Sequence, residues 1–271
     1  MQSNNPVFAR SEGFNGRGGT AYADFGAGLP TTHAQPGTGR MTIDTVVQKT
    51  AVTLGVVVLV AAATWILTGD IVDSAGYVQT DVARQLYTIS LIGAFGGFAL
   101  SMVNSFKRVI SPALVIAFAA FEGLAVGAFS KVVGQWVGDG VVVGAVLGTV
   151  AAVAGVLAAY RFFDIQVGNR FRKWTVGMMF GFVGVSMLDF VLGMFHADFG
   201  FNGFGGMGFV ASVIGLGIGV LMLIMDFDFV ERGIAAGLPE QESWRAAFGL
   251  TVTIVWIYIE LLRLLAILNR N

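Results

Sequence analysis

Seven ionisable side chains stand out by their placement in the chain. Glu122 lies near the middle of an apolar stretch, in Phe121-Glu122-Gly123-Leu124. Asp189 lies about five residues past the centre of another stretch, roughly 7 Å outward at 1.5 Å per residue. Glu260 lies about four residues past the centre of the last, with Arg263 one turn further on. Asp226, Asp228 and Glu231 close a run that opens Gly215-Leu216-Gly217-Ile218-Gly219, and Glu242 lies just beyond. An ionised group at the centre of hydrocarbon costs about 2.5–3.5 kcal/mol on insertion scales, so each of these should face protein or water. Carboxyl oxygens so placed can exchange a proton or meet a hard cation, the chemistry of a proton-sensitive gate or a cation path. Each also has a plainer reading. Glu122 and Asp189 can be hydrogen-bonded structure between helices. Glu260 and Arg263 share a helix face and can be a static ion pair. The Asp226–Glu231 acids can be a solvated helix end.

The elements that must carry these groups are apolar and long. The chain has 271 residues, 55% hydrophobic and only 12% charged, against about a quarter charged in ordinary soluble domains. Seven apolar stretches, at about 45–68, 86–106, 112–130, 141–160, 174–195, 206–226 and 244–268, can each cross roughly 30 Å of hydrocarbon as a helix. The expected fold is an all-α membrane protein, a seven-helix transmembrane bundle over 41–271. Residues 1–40, rich in Gly, Asn, Ser and Thr, read as a disordered cytoplasmic tail. The first apolar core begins near Ala51, too late for a cleavable signal peptide. A net charge of −1 gives no reason to expect nucleic acid, and without cysteine there is no disulfide, thiolate site or cysteine nucleophile.

Lys and Arg set the expected orientation. Lys107 and Arg108 lie in the second loop, Arg161, Arg170, Arg172 and Lys173 in the fourth, Arg232 and Arg245 about the sixth. Arg40 and Lys49 lie on the tail side, against Arg84 in the first loop, Lys131 in the third and none in the fifth. The N-terminus is therefore expected in the cytoplasm and the C-terminus outside, in a bacterial plasma membrane. The acids then form a ladder: Asp189 and Glu260 in the outer half, Glu122 near the middle, and Asp226, Asp228 and Glu231 at the inner mouth. Small residues four apart recur at Gly93/Gly97, Gly123/Gly127, Gly140/Gly144/Gly148, Gly177/Gly181 and Gly215/Gly219, which suits close helix packing in lipid.

Several chemistries drop out. Gly203-Phe204-Gly205-Gly206-Met207-Gly208 matches a dinucleotide fingerprint but follows no strand, and reads as a mobile outer loop. His33 and His196 lie outside the helices, which disfavours a Ser–His protease or a His-rich zinc site. Asp189 and Asp226 differ too much in depth to share a proton as an aspartyl protease pair. An enzyme and a resident cofactor are not expected.

Several pieces together carry a resemblance: Asn5-Pro6-Val7-Phe8, Met41-Thr42-Ile43-Asp44, Ser111-Pro112-Ala113-Leu114 and the run through Leu124. They continue with Asp226 to Gly233, Trp244 with Ala247-Phe248-Gly249-Leu250, and Glu260-Leu261-Leu262-Arg263. The chain resembles the Bax inhibitor-1 family (transmembrane Bax inhibitor motif, YccA-like), in a long bacterial branch. The resemblance implies a last helix at the centre, ringed by the other six. It also implies a pH-sensitive calcium leak gated by carboxylates near the cytoplasmic ends of helices six and seven. Asp226 or Asp228 matches the helix-six member, and both are candidate Ca²⁺ ligands. The helix-seven aspartate falls at Thr253, and Glu231, Glu242 or the second of Asp226 and Asp228 are candidates to replace it. Arg108 and Arg232 are candidate partners for the inner acids. Other readings are a non-conducting regulator or scaffold of a membrane-bound ATP-dependent protease, and a secondary transporter, for which inverted repeats are wanting.

Overall fold

The computed structural model describes residues 39–270, apart from 74, 164 and 166. The expected tail thus lies almost wholly outside the described residues. Seven helices follow in order: α1 (Ile43–Leu67), α2 (Thr80–Phe106), α3 (Pro112–Val137), α4 (Asp139–Phe162), α5 (Asn169–Gly193), α6 (Gly206–Ala235) and α7 (Glu242–Arg270). Each is long and apolar enough to cross a membrane. Large apolar side chains point outward from them, Leu59, Phe95, Phe98 and Phe180 among them, as surfaces facing lipid rather than water do.

Several boundaries differ from the sequence expectation, each for a local reason. Lys131 belongs to α3 rather than to a loop: its amine folds back on the last carbonyls of α1, Trp65 at 2.8 Å and Thr68. A cation there satisfies orphan helix-end oxygens, so α3 continues to Val137. Only Gly138 separates α3 from α4, and its φ of 121° lies where side-chain-bearing residues rarely go. Arg84 likewise sits inside α2, and Arg170, Arg172 and Lys173 in the first turns of α5. The largest change is at α6, which runs nine residues past Asp226 to Ala235. At about 45 Å it outlasts the hydrocarbon, and its acids are mid-helix residues rather than a frayed end.

α7 is the core. Of its most apolar window 56% is buried, against 11–44% for the other helices. It packs on α1, α3, α4 and α6, while α2 packs on α3 and α5 on α6. The ring of six is therefore four, with α2 and α5 as outer staves; α5 reaches α7 through the Phe182 ring, 5.4 Å from that of Trp256. One end of the bundle gathers the chain start with loops two, four and six. There Met41 N donates to Leu238 O at 2.8 Å, Lys49 pairs with Glu240 at 2.9 Å, and Gln241 donates to Ile110 O at 2.9 Å. Residues 39 and 40, assigned to the tail by composition, are tied in here through Glu240 N to Gly39 O and an Arg40–Pro239 bridge. In the first loop, at the opposite end, the Tyr77 and Ala75 amides hold the Asp73 carboxyl below the usual carboxylate range.

Association in lipid relies on close packing rather than on expulsion of water. A Cβ on Gly127 would stand 2.6 Å from Ala61 O of α1, and one on Gly93 would stand 2.5 Å from Ala125 N of α3. Gly177 and Gly181 have nothing within 4 Å, so that pair is spacing without contact. Gly127→Ala should therefore lower the unfolding midpoint in detergent by the equivalent of about 1–3 kcal/mol. Gly181→Ala should leave it unchanged or slightly raised, read by loss of helicity on heating.

Candidate functional site

The seven carboxylates meet different partners, and the partners separate them into groups. Near the far ends of α5 and α7, Glu260 and Arg263 are both buried, with Oε2 and Nη2 3.3 Å apart. Arg263 Nε donates to Ser212 Oγ of α6 at 2.6 Å. Gly215 leaves the room for this: a Cβ there would stand 2.8 Å from the Glu260 carboxyl carbon. Asp189, on α5, accepts from Phe199 N at 2.9 Å and Asn202 N at 2.8 Å. It thus anchors loop five, which Ser186 also holds through both polar ends of the Asn202 side chain. The stretch read as mobile, Gly203 to Gly208, follows directly on Asn202, and its last three residues already belong to α6.

At the near end, α6 sends its acids to three different neighbours, as their spacing around the helix requires. Asp228 is 5% exposed and is paired with Arg172 of α5 and with Arg232 one turn along at 2.9 Å. Arg232 also donates to Val167 O at 2.7 Å, joining loop four. Glu231 is exposed and accepts from the Tyr160 hydroxyl of α4 at 2.6 Å. Glu242 pairs with Arg245 at 2.7 Å, and Arg245 in turn donates to Arg108 O. Arg108 therefore contributes its carbonyl here rather than its charge.

Asp226 differs from all of these. Half-buried, it accepts from Thr253 Oγ1 of α7 at 2.6 Å, and no basic side chain pairs with it among the described residues. Thr253 itself is 4% exposed. This is a direct tie between the central helix and the long α6. Glu122 falls on the stripe of α3, with Ala119, Val126 and Val133, that faces the core. Its carboxyl ends against α2, where a Cβ on Gly97 would be 2.8 Å from Oε2. It too has no basic partner among the described residues.

Glu122, Asp226 and Thr253 lie nine to eleven residues from the near ends of their helices, roughly 15 Å deep. Seven apolar helices, the last of them buried, and a helix-six carboxyl tied to position 253 are the frame on which a comparison of the whole chain can be read. A family model described as Bax inhibitor 1 like matches residues 5–270. The chain belongs to that family. No curated protein matches it.

Within the family pattern, Asp226 rather than Asp228 faces α7, and Thr253 meets it as a hydroxyl. Neither Glu231 nor Glu242 takes the place of a helix-seven aspartate, since each is engaged elsewhere. Asp226 and Asp228 also do not form a joint cation site. Residues two apart on a helix point apart, and no group of three His, Cys, Asp or Glu side chains fit for a metal occurs among the described residues. What sequence reading missed are the polar partners: Ser212, Tyr160, Thr253 as a donor, and Arg172 as more than a topology marker. Hydroxyls in apolar helices are too common to single these out.

Removing both Arg172 and Arg232 as glutamines strands the buried Asp228 carboxylate, and should cost about 3 kcal/mol. Asp228→Asn releases two half-exposed guanidinium groups that water can solvate, and should cost about 1 kcal/mol or less. Denaturant unfolding in detergent would rank the two; the reverse order would mean that Asp228 is not held as a charge.

Proposed function

We propose that this integral membrane protein passes Ca²⁺ down its gradient through the bundle, and that the Asp226–Thr253 contact is the latch that gates it. The observation carrying this reading is the hydrogen bond from Thr253 to an acid that has no counter-charge. It joins the buried central helix to α6, so its making or breaking changes how those two helices sit. Support comes from the level at which it lies. Glu122 stands at the same depth, and Thr50 and Thr251 on α1 and α7 each bury a hydroxyl oxygen without a protein partner. Buried polar atoms of that kind are normally met by water, and a wet layer lowers the cost of a cation passing there. Carboxylate and hydroxyl oxygens suit hard Ca²⁺, and incomplete coordination suits a leak better than a tight cage would. In this reading Glu122 lines the path, Asp226 is the proton-sensitive gate, and Asp228 with its arginines is a fixed brace beside it. Glu231 sits at the mouth. The Glu260–Arg263 pair and Asp189 hold the other end of the bundle.

The orientation follows from Arg40, Lys49, Lys107, Arg108, Arg170, Arg172, Lys173 and Arg232, which all lie at the end with loops two, four and six. That end faces the cytoplasm of a bacterial inner membrane, with the C-terminus outside. A lone cysteine introduced at Gly203 should then react with an impermeant maleimide on intact spheroplasts, and one at Asn169 only after lysis. Labelling in the opposite sense would invert the topology.

Reconstitution with a calcium dye across pH 5–8 tests the gate. A hydrogen bond to a charged group is worth about 1.5–3 kcal/mol. Thr253→Val should therefore raise the resting flux by about tenfold or more where the closed state dominates. Asp226→Asn should keep flux but remove most of its pH dependence, and Glu122→Gln should lower flux at every pH. No flux above protein-free liposomes would leave the non-conducting regulator, the alternative in which a membrane-bound protease is the partner.

A further inference from the structure

α1 and α4 do not pack against each other; both lean on α3 and α7. Between them lies a cavity of about 530 Å³. It is open sideways, because Val58, Ile66, Val146 and Val150 line it and are themselves exposed. Along α1 it runs from Leu54 to Ile66, about 18 Å at the helical rise. Among the described residues no charged side chain lines it, and its polar groups are the hydroxyls of Ser130, Thr149 and Tyr258 with the indole N–H of Trp65 at one end.

Those hydroxyls are already committed. Thr149 donates to Ala145 O at 2.7 Å and Ser130 to Val126 O at 2.6 Å. Ser130 and Tyr258 oxygens are 2.7 Å apart. With the single Ser130 proton spent on Val126, the Tyr258 hydroxyl is the donor in that pair. None of the three hydroxyls is therefore left to donate to an entering group, and between them and the Trp65 indole at the end of α1 the walls are hydrocarbon. An ion or a file of water has little to bind there.

We propose that this groove is a lipid-binding site that takes one acyl chain of a bilayer lipid. The chain enters from the leaflet on the side of the α1–α2 and α3–α4 turns. Size selects this occupant. Spread over about 18 Å, the cavity has a cross-section of about 30 Å², a channel roughly 6 Å wide. A helix from a second copy, about 10–12 Å across with its side chains, is too thick to lie in it. A 150 Å³ apolar cavity accommodates benzene, so this one holds roughly 20 carbon atoms, the scale of one fatty-acyl chain. Position selects it as well. The groove opens between membrane-spanning helices, where lipid tails are the surrounding medium. Trp65 lines it at the end of α1, where tryptophan favours the headgroup boundary. At the other end the chain would bear on Ile254 and Val255, which flank Thr253. It would complete the wall around α7 that α1 and α4 leave open.

Photolabelling of the unmodified full chain in nanodiscs tests this without reading any flux. The probe is phosphatidylglycerol with a diazirine in the middle of one acyl chain, followed by peptide mapping. Adducts are expected on residues that general bilayer contact does not reach, Tyr258, Thr149 and Val126. They should disappear in Val146→Phe with Ala62→Phe, which fills the groove, while adducts on the outer faces of α2 and α5 persist. Retained fold of that variant is checked by its helicity. Adducts confined to the outer faces of α2 and α5 would overturn the proposal. So would groove adducts that survive the filling, or a groove shielded from label in a dimer of this chain.

Discussion

The fold depends on one constraint: α7 is surrounded by protein on four sides, so the polar groups along it are answered inside the bundle, the Thr251 hydroxyl excepted. Where water is absent, an unanswered donor or charge costs kilocalories. The helix carries Thr253, Tyr258, Glu260 and Arg263 along its buried length, and each is answered by one neighbour or by its own helix. α6 answers Thr253 with Asp226 and Arg263 with Ser212, and α3 answers Tyr258 with Ser130. These contacts fix the rotation and height of α7 in a way that apolar packing between smooth surfaces would not. Glycine on α6 then makes the room: a Cβ on Gly215 would stand 2.8 Å from the Glu260 carboxyl carbon, and one on Gly219 2.8 Å from Ile257.

The bundle is not uniformly tight, and the differences follow the same logic. The far half is closed by a buried ion pair, a backbone-capped aspartate and a lysine clamped on a helix end. The near end is closed by arginines on Asp228 and by loop contacts. Between them lies a layer where, among the described residues, Glu122 and Asp226 have no basic partner and two threonine hydroxyls have no protein partner. Stability is concentrated above and below that layer. A switch needs a part whose two arrangements differ by only a few kcal/mol, and this layer is the one least committed to a single arrangement.

Much of this was legible in the sequence, and the rest was not for physical reasons. Apolar length and the basic loops gave seven crossings in the right order, because the hydrocarbon requirement is strong and local. Two of the misplaced helix ends, those of α3 and α6, lie where a charge is paired rather than solvated. Lys131 looked like a loop residue until it met the α1 carbonyls, and Asp226 looked like a helix end until Asp228 found two arginines that let α6 continue. The ladder of acids was readable as a list but not as a set of partners. Asp226, Asp228 and Glu231 are five residues apart at most and face α7, α5 and α4 respectively, which no spacing rule assigns without the neighbours. Glycine spacing was similarly ambiguous: Gly123/Gly127 is a contact and Gly177/Gly181 is not.

A threonine at position 253 changes what the proposed latch could do. Two carboxylates facing each other attract while they share one proton and repel when both are ionised, so their contact changes sign with pH. A hydroxyl donating to one carboxyl does not. Its bond is favourable to the ionised acid and still favourable to the neutral one, and only its strength differs. Hydrogen bonds to charged groups are worth about 1.5–3 kcal/mol and neutral ones about 0.5–1.5, so protonation weakens this tie by about 1 kcal/mol and leaves it attractive. That is a several-fold shift in a two-state equilibrium, less than the 10⁴-fold that takes a gate from 1:99 to 99:1. If this contact gates as proposed, it is thus a graded element rather than a steep one. Any sharper response to protons has to draw on Glu122, the other acid at the same depth without a basic partner.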